Sequence, residues 1–362
     1  MKDVKHKLLV DLLCKDIIEG KYRFGDPFPS ERALVRKTGY SRITVQHALR
    51  ELEKLGWISR HQGRGTFITK NGQSRKVGLI VPALSKAEIF SVVCQELSVL
   101  CQERDRLLLF ADEKSDAADK VESRLDRLAD KFIEDGVAGV IFHPVDYCPN
   151  AEAINRKIID KFSQARVPVV LLDCDIGNAL ASSEYDHVGI DNIEAGWRVG
   201  RHVIDRGARK IMFVMRSKWA SNVWRRLLGL KSAASEVKGV RVEDFFVASE
   251  SSKVRLLRTF RRKCPDAIVC SSDAVAANVM QLLAKAGRRV PQDVLVTGIN
   301  DVEIARITSP SLTSIHQPCE EIARTVLDIL EWRMSHPKAR ARHVNLSASL
   351  VVRASTGGES GS

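Results

Sequence analysis

From residue 77 to about 353 the chain keeps one rhythm: a short β-branched or aliphatic run, a longer amphipathic stretch, then another apolar run. Strand candidates fall at 77–81, 107–110, 139–142, 167–173, 187–190, 210–215, 267–270 and 294–299. Helical stretches at 89–103, 117–134, 154–165, 193–206, 223–237, 254–263 and 274–286 intervene. Strand and helix in strict alternation build a parallel sheet whose faces are covered by helices. A run this long suits two lobes better than one sheet. In such α/β sheets ligands bind beyond the carboxyl ends of the strands, so two lobes bring two sets of strand ends to one cleft.

The rhythm does not reach back to the start. Residues 1–69 are helix-patterned and basic, residues 70–76 (Lys-Asn-Gly-Gln-Ser-Arg-Lys) have no apolar side chain and read as a linker, and 77–355 form the second module. The tail, 356–362, has nothing to bury and is expected to be disordered. Charge separates the modules further. Residues 1–75 hold 16 basic and 8 acidic side chains, a net of +8, and the remaining residues hold 41 and 37, a net of +4. Positive charge concentrated at one end of a chain points to nucleic acid or an anionic surface.

Other classes are excluded by what is lacking. No apolar run approaches the ~18 residues of a membrane helix. The start, Met1-Lys2-Asp3-Val4-Lys5, has no apolar signal region. The eight cysteines (14, 94, 101, 148, 174, 264, 270 and 319) form no Cys-x-x-Cys pair and have no histidine at ligand spacing. They read as reduced thiols of a cytoplasmic protein, with no metal site and no disulfide framework.

In the first module Leu8, Leu9, Leu12, Leu13, Ile17 and Ile18 predict a helix with a wide apolar face. Ser30 is placed to cap a second helix ending near Gly39, and Ser41 to cap a third, 42–54, with Ile43, Val45, Ala48, Leu49 and Leu52 facing inward. Tyr40, Leu49 and Trp57 belong to its core. Two short helices around a glycine turn make a helix-turn-helix. Residues 57–60 and 66–69 then flank His61-Gln62-Gly63-Arg64-Gly65, a hairpin wing with a basic glycine-rich tip. The first turn of such a third helix enters the major groove, which aims Arg42, Thr44 and Gln46 at base edges or phosphates. Arg64, between glycines, can follow the backbone or enter the minor groove.

These blocks resemble the GntR-type winged helix-turn-helix: Phe-Pro-Ser-Glu-Arg-Ala-Leu at 28–34, Tyr-Ser-Arg-Ile-Thr-Val-Gln-His-Ala-Leu at 40–49, Leu-Glu-Lys-Leu-Gly-Trp-Ile at 52–58, and Arg-His-Gln-Gly-Arg-Gly-Thr-Phe at 60–67. The resemblance implies that Arg32, Ser41, Arg42, Thr44, Gln46, Gln62, Arg64 and Gly65 meet double-stranded DNA. Gln46 stands where many relatives have Arg, which implies a changed base preference, and Gln pairs bidentately with adenine.

The second module resembles the LacI/GalR-type regulatory domain, a type I periplasmic-binding-protein fold. Val-Gly-Leu-Ile-Val-Pro at 77–82 matches its first strand and Val-Pro-Val-Val-Leu-Leu-Asp at 167–173 the strand leaving the first lobe. His-Val-Gly-Ile-Asp-Asn at 187–192 matches the start of the second lobe, followed by Pro-Asp-Ala-Ile-Val-Cys-Ser-Ser-Asp at 265–273 and Gly-Ile-Asn-Asp at 298–301. Three crossings, near 174–176, 316–319 and 346–348, are expected to form a hinge. By family match the cleft is lined by Phe90, Asp173, Trp224, Arg226, Ser272, Asp273 and Asn300. Carboxylate, guanidinium and amide together suit vicinal hydroxyls, with Phe90 or Trp224 stacking on a sugar face. Ser272 stands where Asn is frequent and Asn300 where Asp is frequent. Another reading of Asp191 and Asp273 makes them helix caps or loop anchors, and Trp197 and Trp219 read as core or interface.

Together the resemblances imply a bacterial transcriptional regulator of the arabinose-repressor-like subgroup, most simply a repressor. It would act as a homodimer on a palindromic operator and be controlled by a small effector, by default a carbohydrate. A nucleobase effector, or a domain kept only for dimerisation, is the alternative. An α/β enzyme is the remote one, because no G-x-x-x-x-G-K-[ST], G-x-S-x-G, H-E-x-x-H or strand-following G-x-G-x-x-G occurs. No cofactor is expected.

Overall fold

The computed structural model describes residues 2–18, 21–22, 25–55, 57–61, 64–68, 76–82, 89–111, 121–148, 150–176, 182–216, 220–247, 249–262 and 264–358. The chain divides into two compact units, residues 1–77 with 135–138, and the remainder.

In the first unit α1 (Lys2–Ile18), α2 (Glu31–Thr38) and α3 (Arg42–Lys54) precede an antiparallel hairpin of β1 (Ile58–His61) and β2 (Gly65–Ile68). Both expected caps form: Ser30 Oγ accepts from the Ala33 N–H, and Ser41 Oγ from the Thr44 N–H. Gly39 ends α2 at φ 72°, the left-handed conformation that glycine adopts without a Cβ clash. The core gathers Leu9, Leu13 and Ile17 of α1, Leu34 of α2, Val45, Ala48, Leu49 and Leu52 of α3, and Ile58 and Ile68 of the wing. Tyr40 and Trp57 pack at its margin.

Three residues expected inside lie outside. Leu8 is 55%, Leu12 46% and Ile43 67% exposed. Leu9, Leu13 and Ile17 recur every four residues and make one narrow stripe against α3, which leaves Leu8 and Leu12 about 100° away around the helix. Ile43 stands off the 45-48-49-52 stripe for the same reason. The Ile18 side chain lies outside the described residues.

One six-stranded sheet, in the second unit except for the first two residues of β3, has the order β13-β7-β6-β5-β3-β4, from β3 (Lys76–Ile80), β4 (Leu107–Ala111), β5 (Gly139–Phe142), β6 (Val169–Leu172), β7 (Asp186–Ile190) and β13 (His343–Leu346). The other has the order β14-β12-β11-β10-β8-β9, from β8 (Lys210–Met215), β9 (Arg241–Phe246), β10 (Ala267–Cys270), β11 (Leu295–Asn300), β12 (Thr313–His316) and β14 (Ser349–Val351). Strands β8 to β12 run parallel, and only β14 pairs antiparallel, with β12. The helices are α4 (Ile89–Glu103), α5 (Val121–Glu134), α6 (Ala151–Gln164), α7 (Asn192–Asp205), α8 (Ser221–Ser235), α9 (Glu250–Arg262), α10 (Asp273–Lys285), α11 (Glu303–Ile307) and α12 (Cys319–Ser335).

The expected strands all form, and four more join them. Strand β9 is an edge strand with charged residues, β12 is a buried Thr-Ser-Ile-His run, and β13 and β14 are short; none presents a continuous aliphatic signal. Helix α12 also lies beyond the expected series. The first crossing is misplaced by sequence. Strand β7 pairs parallel with β6 and closes the first lobe, so the chain crosses at 190–192 and not at 174–176. The other two crossings lie between β12 and α12 and between β13 and β14, as expected. The tail begins later than composition suggests: Thr356 is buried, its hydroxyl bonded to Thr313 Oγ1 at 2.7 Å and to His202 Nε2 at 2.9 Å.

Helices α7 and α8 meet closely enough to exclude side chains. A Cβ on Gly229 would lie 1.9 Å from the Ile193 carbonyl oxygen, and one on Gly196 2.0 Å from that of Arg226. This contact sets where Arg226 emerges from α8.

Candidate nucleic-acid interface and ligand cleft

On the first unit the amino ends of α2 and α3 present free backbone N–H groups, the donors that suit phosphate oxygens. Arg32, Arg42, Arg64 and Gly65 are exposed, Ser41 is exposed at its cap, and Thr44 is half-buried with its hydroxyl 2.8 Å from Ser41 Oγ. Gln62 lies outside the described residues. Arg42 and Gln46 share a partner the sequence reading overlooked. Glu31, in the first turn of α2, accepts from Arg42 Nε at 2.6 Å and from Gln46 Nε2 at 3.1 Å. The hydrogen bond from Arg42 is the main reason the Glu31 carboxyl sits below its ordinary range. Using Nε for this bond leaves the outer edge of the guanidinium, 79% exposed as a side chain, open to solvent with its remaining donors unused by Glu31. The exposed Ile43 beside it is an apolar tip of the kind that meets a thymine methyl. Glu31 was legible as the neighbour of Arg32 in the Pro-Ser-Glu-Arg block.

The second unit gathers its polar groups at carboxyl ends of strands. Asp173 follows β6 at φ 64° and Asn300 ends β11 at φ 125°, positive-φ conformations that only a few non-glycine residues hold and that Asp and Asn adopt most readily. Asp173 Oδ2 accepts from Asn222 Nδ2 at 3.0 Å, joining the first lobe to α8 of the second. Ser221 adds a bond to the Asp175 carbonyl at 2.9 Å. Arg226, one turn beyond Asn222, is buried at 4% exposure. Its Nε donates to Asn192 Oδ1 at 2.7 Å and its Nη1 to the Ser271 carbonyl at 2.8 Å. Burial drives its pKa down, against the pull of the carboxylates of Asp173, Asp273 and Asp146. Burial also pushes the Asp146 carboxyl up, and the Asp173 charge adds to the rise. Gln317, directly after β12, donates to Asn300 Oδ1 at 2.9 Å. Phe90 is buried with its ring centroid 4.2 Å from that of His143.

Three buried oxygens in this group, Asp173 Oδ1, Asn222 Oδ1 and Gln317 Oε1, meet no donor among the described residues. Buried acceptors left without donors are costly in a folded protein, and a water or a bound ligand that donates to them removes that cost.

Other expected members do different work. Asp273 is a scaffold residue: it is fully buried, with one oxygen taking the Ser314 hydroxyl at 2.6 Å and the other the Val302 N–H at 3.0 Å. Burial pushes its carboxyl up to about 6. Ser272 caps α10 by accepting from the Val275 N–H, and Asp191 caps α7. Trp224 is half-buried in the first turn of α8. Trp197 is 37% exposed and donates to Glu236, while Trp219 lies outside the described residues. Asn222, Asp146, His143, Asn192 and Gln317 were missed. Asn222 alone had a signal, four residues before Arg226 and so on the same helical face.

Known proteins resemble this arrangement region by region. Residues 6–68 match the bacterial regulatory proteins of the gntR family, and residues 201–356 a periplasmic binding protein-like domain. The chain is 24% identical over 295 residues to the ribose operon repressor of Escherichia coli (strain K12), covering 79% of this chain and 83% of the relative. It is 26% identical over 293 residues to the HTH-type transcriptional repressor PurR of Mannheimia succiniciproducens (79% and 82% covered). It is 23% identical over 335 residues to the arabinose metabolism transcriptional repressor of Geobacillus stearothermophilus (88% of each). Among solved structures, a complex of the transcriptional regulator CelR with cellobiose superposes with a TM-score of 0.66 at 22% identity, covering 91% of this chain and 100% of that one. A LacI family regulator from Enterococcus faecium with bound ribose gives 0.65 at 20% identity, covering 78% and 98%. At these identities the solved structures establish the fold. Among the described residues no helix is long and apolar enough to cross a membrane.

Proposed function

This chain is a transcriptional regulator that joins a gntR-type DNA-binding module to a LacI/GalR-type sensor, and from that premise we propose a repressor whose grip on its operator is set by a polyhydroxylated effector, a sugar or sugar derivative. The observation that carries the effector class is the set of three buried acceptors, Asp173 Oδ1, Asn222 Oδ1 and Gln317 Oε1, beside the buried guanidinium of Arg226. A ligand that satisfies them brings several O–H donors on adjacent carbons and at least one acceptor for Arg226. Sugars carry that pattern, and the names of the ribose and arabinose repressors agree with it. Phe90, with its ring against His143, supplies an apolar wall for a sugar face.

In this reading Arg32, Ser41, Arg42, Thr44, Gln46, Gln62, Arg64 and Gly65 are the DNA contacts, and Phe90, Asp173, Arg226 and Asn300 hold the effector with Asn222 and Gln317. The protein works in the cytoplasm, as a homodimer whose two-fold axis is mirrored in a palindromic operator. The effector acts only through a difference in its affinity for two arrangements of the lobes, which the bonds Asp173–Asn222 and Ser221–Asp175 couple across the hinge.

The test is a thermal-shift screen of the full chain against aldoses, ketoses, their phosphates and nucleobases. A sugar that binds the native state raises the melting temperature, by an amount that grows with its concentration. Arg226→Ala abolishes that shift yet leaves duplex binding intact. A shift produced by nucleobases alone, or by no compound of any class, contradicts the sugar assignment.

A further inference from the structure

α12 ends at Ser335, and residues 336–342 connect it to β13. Arg333 in the last turn of α12 grips the buried Asp186 with two bonds, at 2.5 and 2.8 Å. The same guanidinium donates to the carbonyls of His336, Ala339 and Arg340, at 3.2, 2.5 and 2.9 Å. Asp186 in turn accepts from the Arg342 N–H at 2.8 Å. One buried ion pair therefore draws the carbonyls of the connection inward and holds its backbone. Trp332 stacks on His336 with centroids 4.8 Å apart and carries the Arg342 guanidinium 3.3 Å from its own centroid.

What the connection shows to solvent is cationic. Lys338, Arg340 and Arg342 are exposed, and 336–342 contains no acidic residue. Among the described residues none of the three forms an ion pair. Cations on a braced backbone lose little freedom when they bind, unlike those on a mobile tail.

Its place in the sheet matters as much. β13 runs parallel to β7, β7 to β6, and β6 to β5, while the Ala138 N–H just before β5 donates to the Lys76 carbonyl at the start of β3. The connection thus opens on the amino-terminal edge from which β3 departs, four strand spacings or about 19 Å along it. The eight residues from Ile68 to Lys76 span at most about 28 Å.

We propose that Lys338, Arg340 and Arg342 form a second phosphate-contacting surface, which grips duplex backbone flanking the bases read by α3. It adds affinity and salt dependence and carries no base preference, because phosphates are the same beside every base.

The test uses the full chain and a duplex enriched by it from a random library, prepared with about 20 and about 40 base pairs. Failure to enrich any duplex would fault the DNA-binding reading itself; the surface is judged on the enriched one. Lys338→Gln/Arg340→Gln leaves the Arg333–Asp186 pair and the Arg342 stack in place. In the homodimer it removes four cations, so it should lower the slope of log K against log salt by about 4 and weaken binding to the longer duplex by at least about tenfold, with base preference unchanged. An unchanged slope and unchanged length dependence in a variant that melts like the parent would overturn the proposal. Hydroxyl-radical footprinting is the independent check: protected backbone beyond the contacts of α3 and the wing, present with the unaltered protein and lost with Lys338→Gln/Arg340→Gln, is required, and identical footprints for the two proteins would overturn the proposal equally.

Discussion

The proposed DNA-reading face and the proposed effector cleft both use arginine, carboxylate and amide side chains, but they hold them in opposite ways. The reader's Arg42 stands in solvent and leans on one carboxylate, Glu31, eleven residues away in sequence. The cleft's Arg226 is buried and held by Asn192 and the Ser271 carbonyl, 34 and 45 residues away. The exposed pair is screened by salt and yields easily to a phosphate or a base edge. The buried guanidinium sits where screening is weak and every unmet hydrogen bond is costly, the setting in which a ligand is discriminated by shape and donor pattern. A surface built to exchange partners thus shares a chain with a site built to demand one.

The contrast breaks most visibly at glycines. Gly229→Ala places a methyl 1.9 Å from the Ile193 carbonyl, against backbone that cannot turn aside. It should destabilise the second unit by about 3–5 kcal/mol in urea unfolding and displace Arg226 one turn earlier. A parental unfolding curve would mean that α7 and α8 separate freely.

A smaller effect depends on pH. Burial, helped by the Arg206 charge, pushes the His202 pKa down to about 4, below its unfolded value near 6.5. The folded state then resists a proton that the unfolded chain accepts, so stability is full above 6.5 and falls as the pH drops toward 4. The loss is up to roughly 3 kcal/mol and loosens the Thr356 anchor. Thermal melts of His202→Gln should lack this slope.

Arg42→Ala sharpens the comparison from the other side. It should cost about 1–3 kcal/mol in binding to the enriched duplex and leave the melting temperature unchanged, as measured by fluorescence anisotropy. Equal loss on all duplexes would reassign Arg42 from base to phosphate. The smallest effect is at Gly39→Ala, where no atom lies within 4 Å of the new methyl and only the left-handed backbone resists. The cost should be about 1 kcal/mol in urea unfolding.

These differences explain what could be read in advance. The reader is written in contiguous blocks, so its helices, caps and wing were legible residue by residue. The proposed cleft is assembled from strand ends, and Asp173 and Asn300 were singled out because each ends or follows a recognisable run, whereas Arg226, inside α8, came only from the family resemblance. Gln317 was not, because the strand before it is Thr-Ser-Ile-His and gives no aliphatic signal. The first crossing was misread because the Asp191 cap belongs to α7 while the strand leading to it still pairs with β6. Leu8 and Leu9 look alike in sequence, and only the narrow contact of α1 with α3 decides which is buried. Asp273 looked like a ligand group because a fully buried carboxylate and a cleft carboxylate follow strands in the same way.

The central claim is that occupancy of the cleft changes grip on DNA. The direct measurement is the operator affinity of the full chain with and without saturating effector, paired with its effector affinity with and without operator. The account predicts the same factor in both directions, at least about fivefold. Two affinities that ignore each other would contradict it.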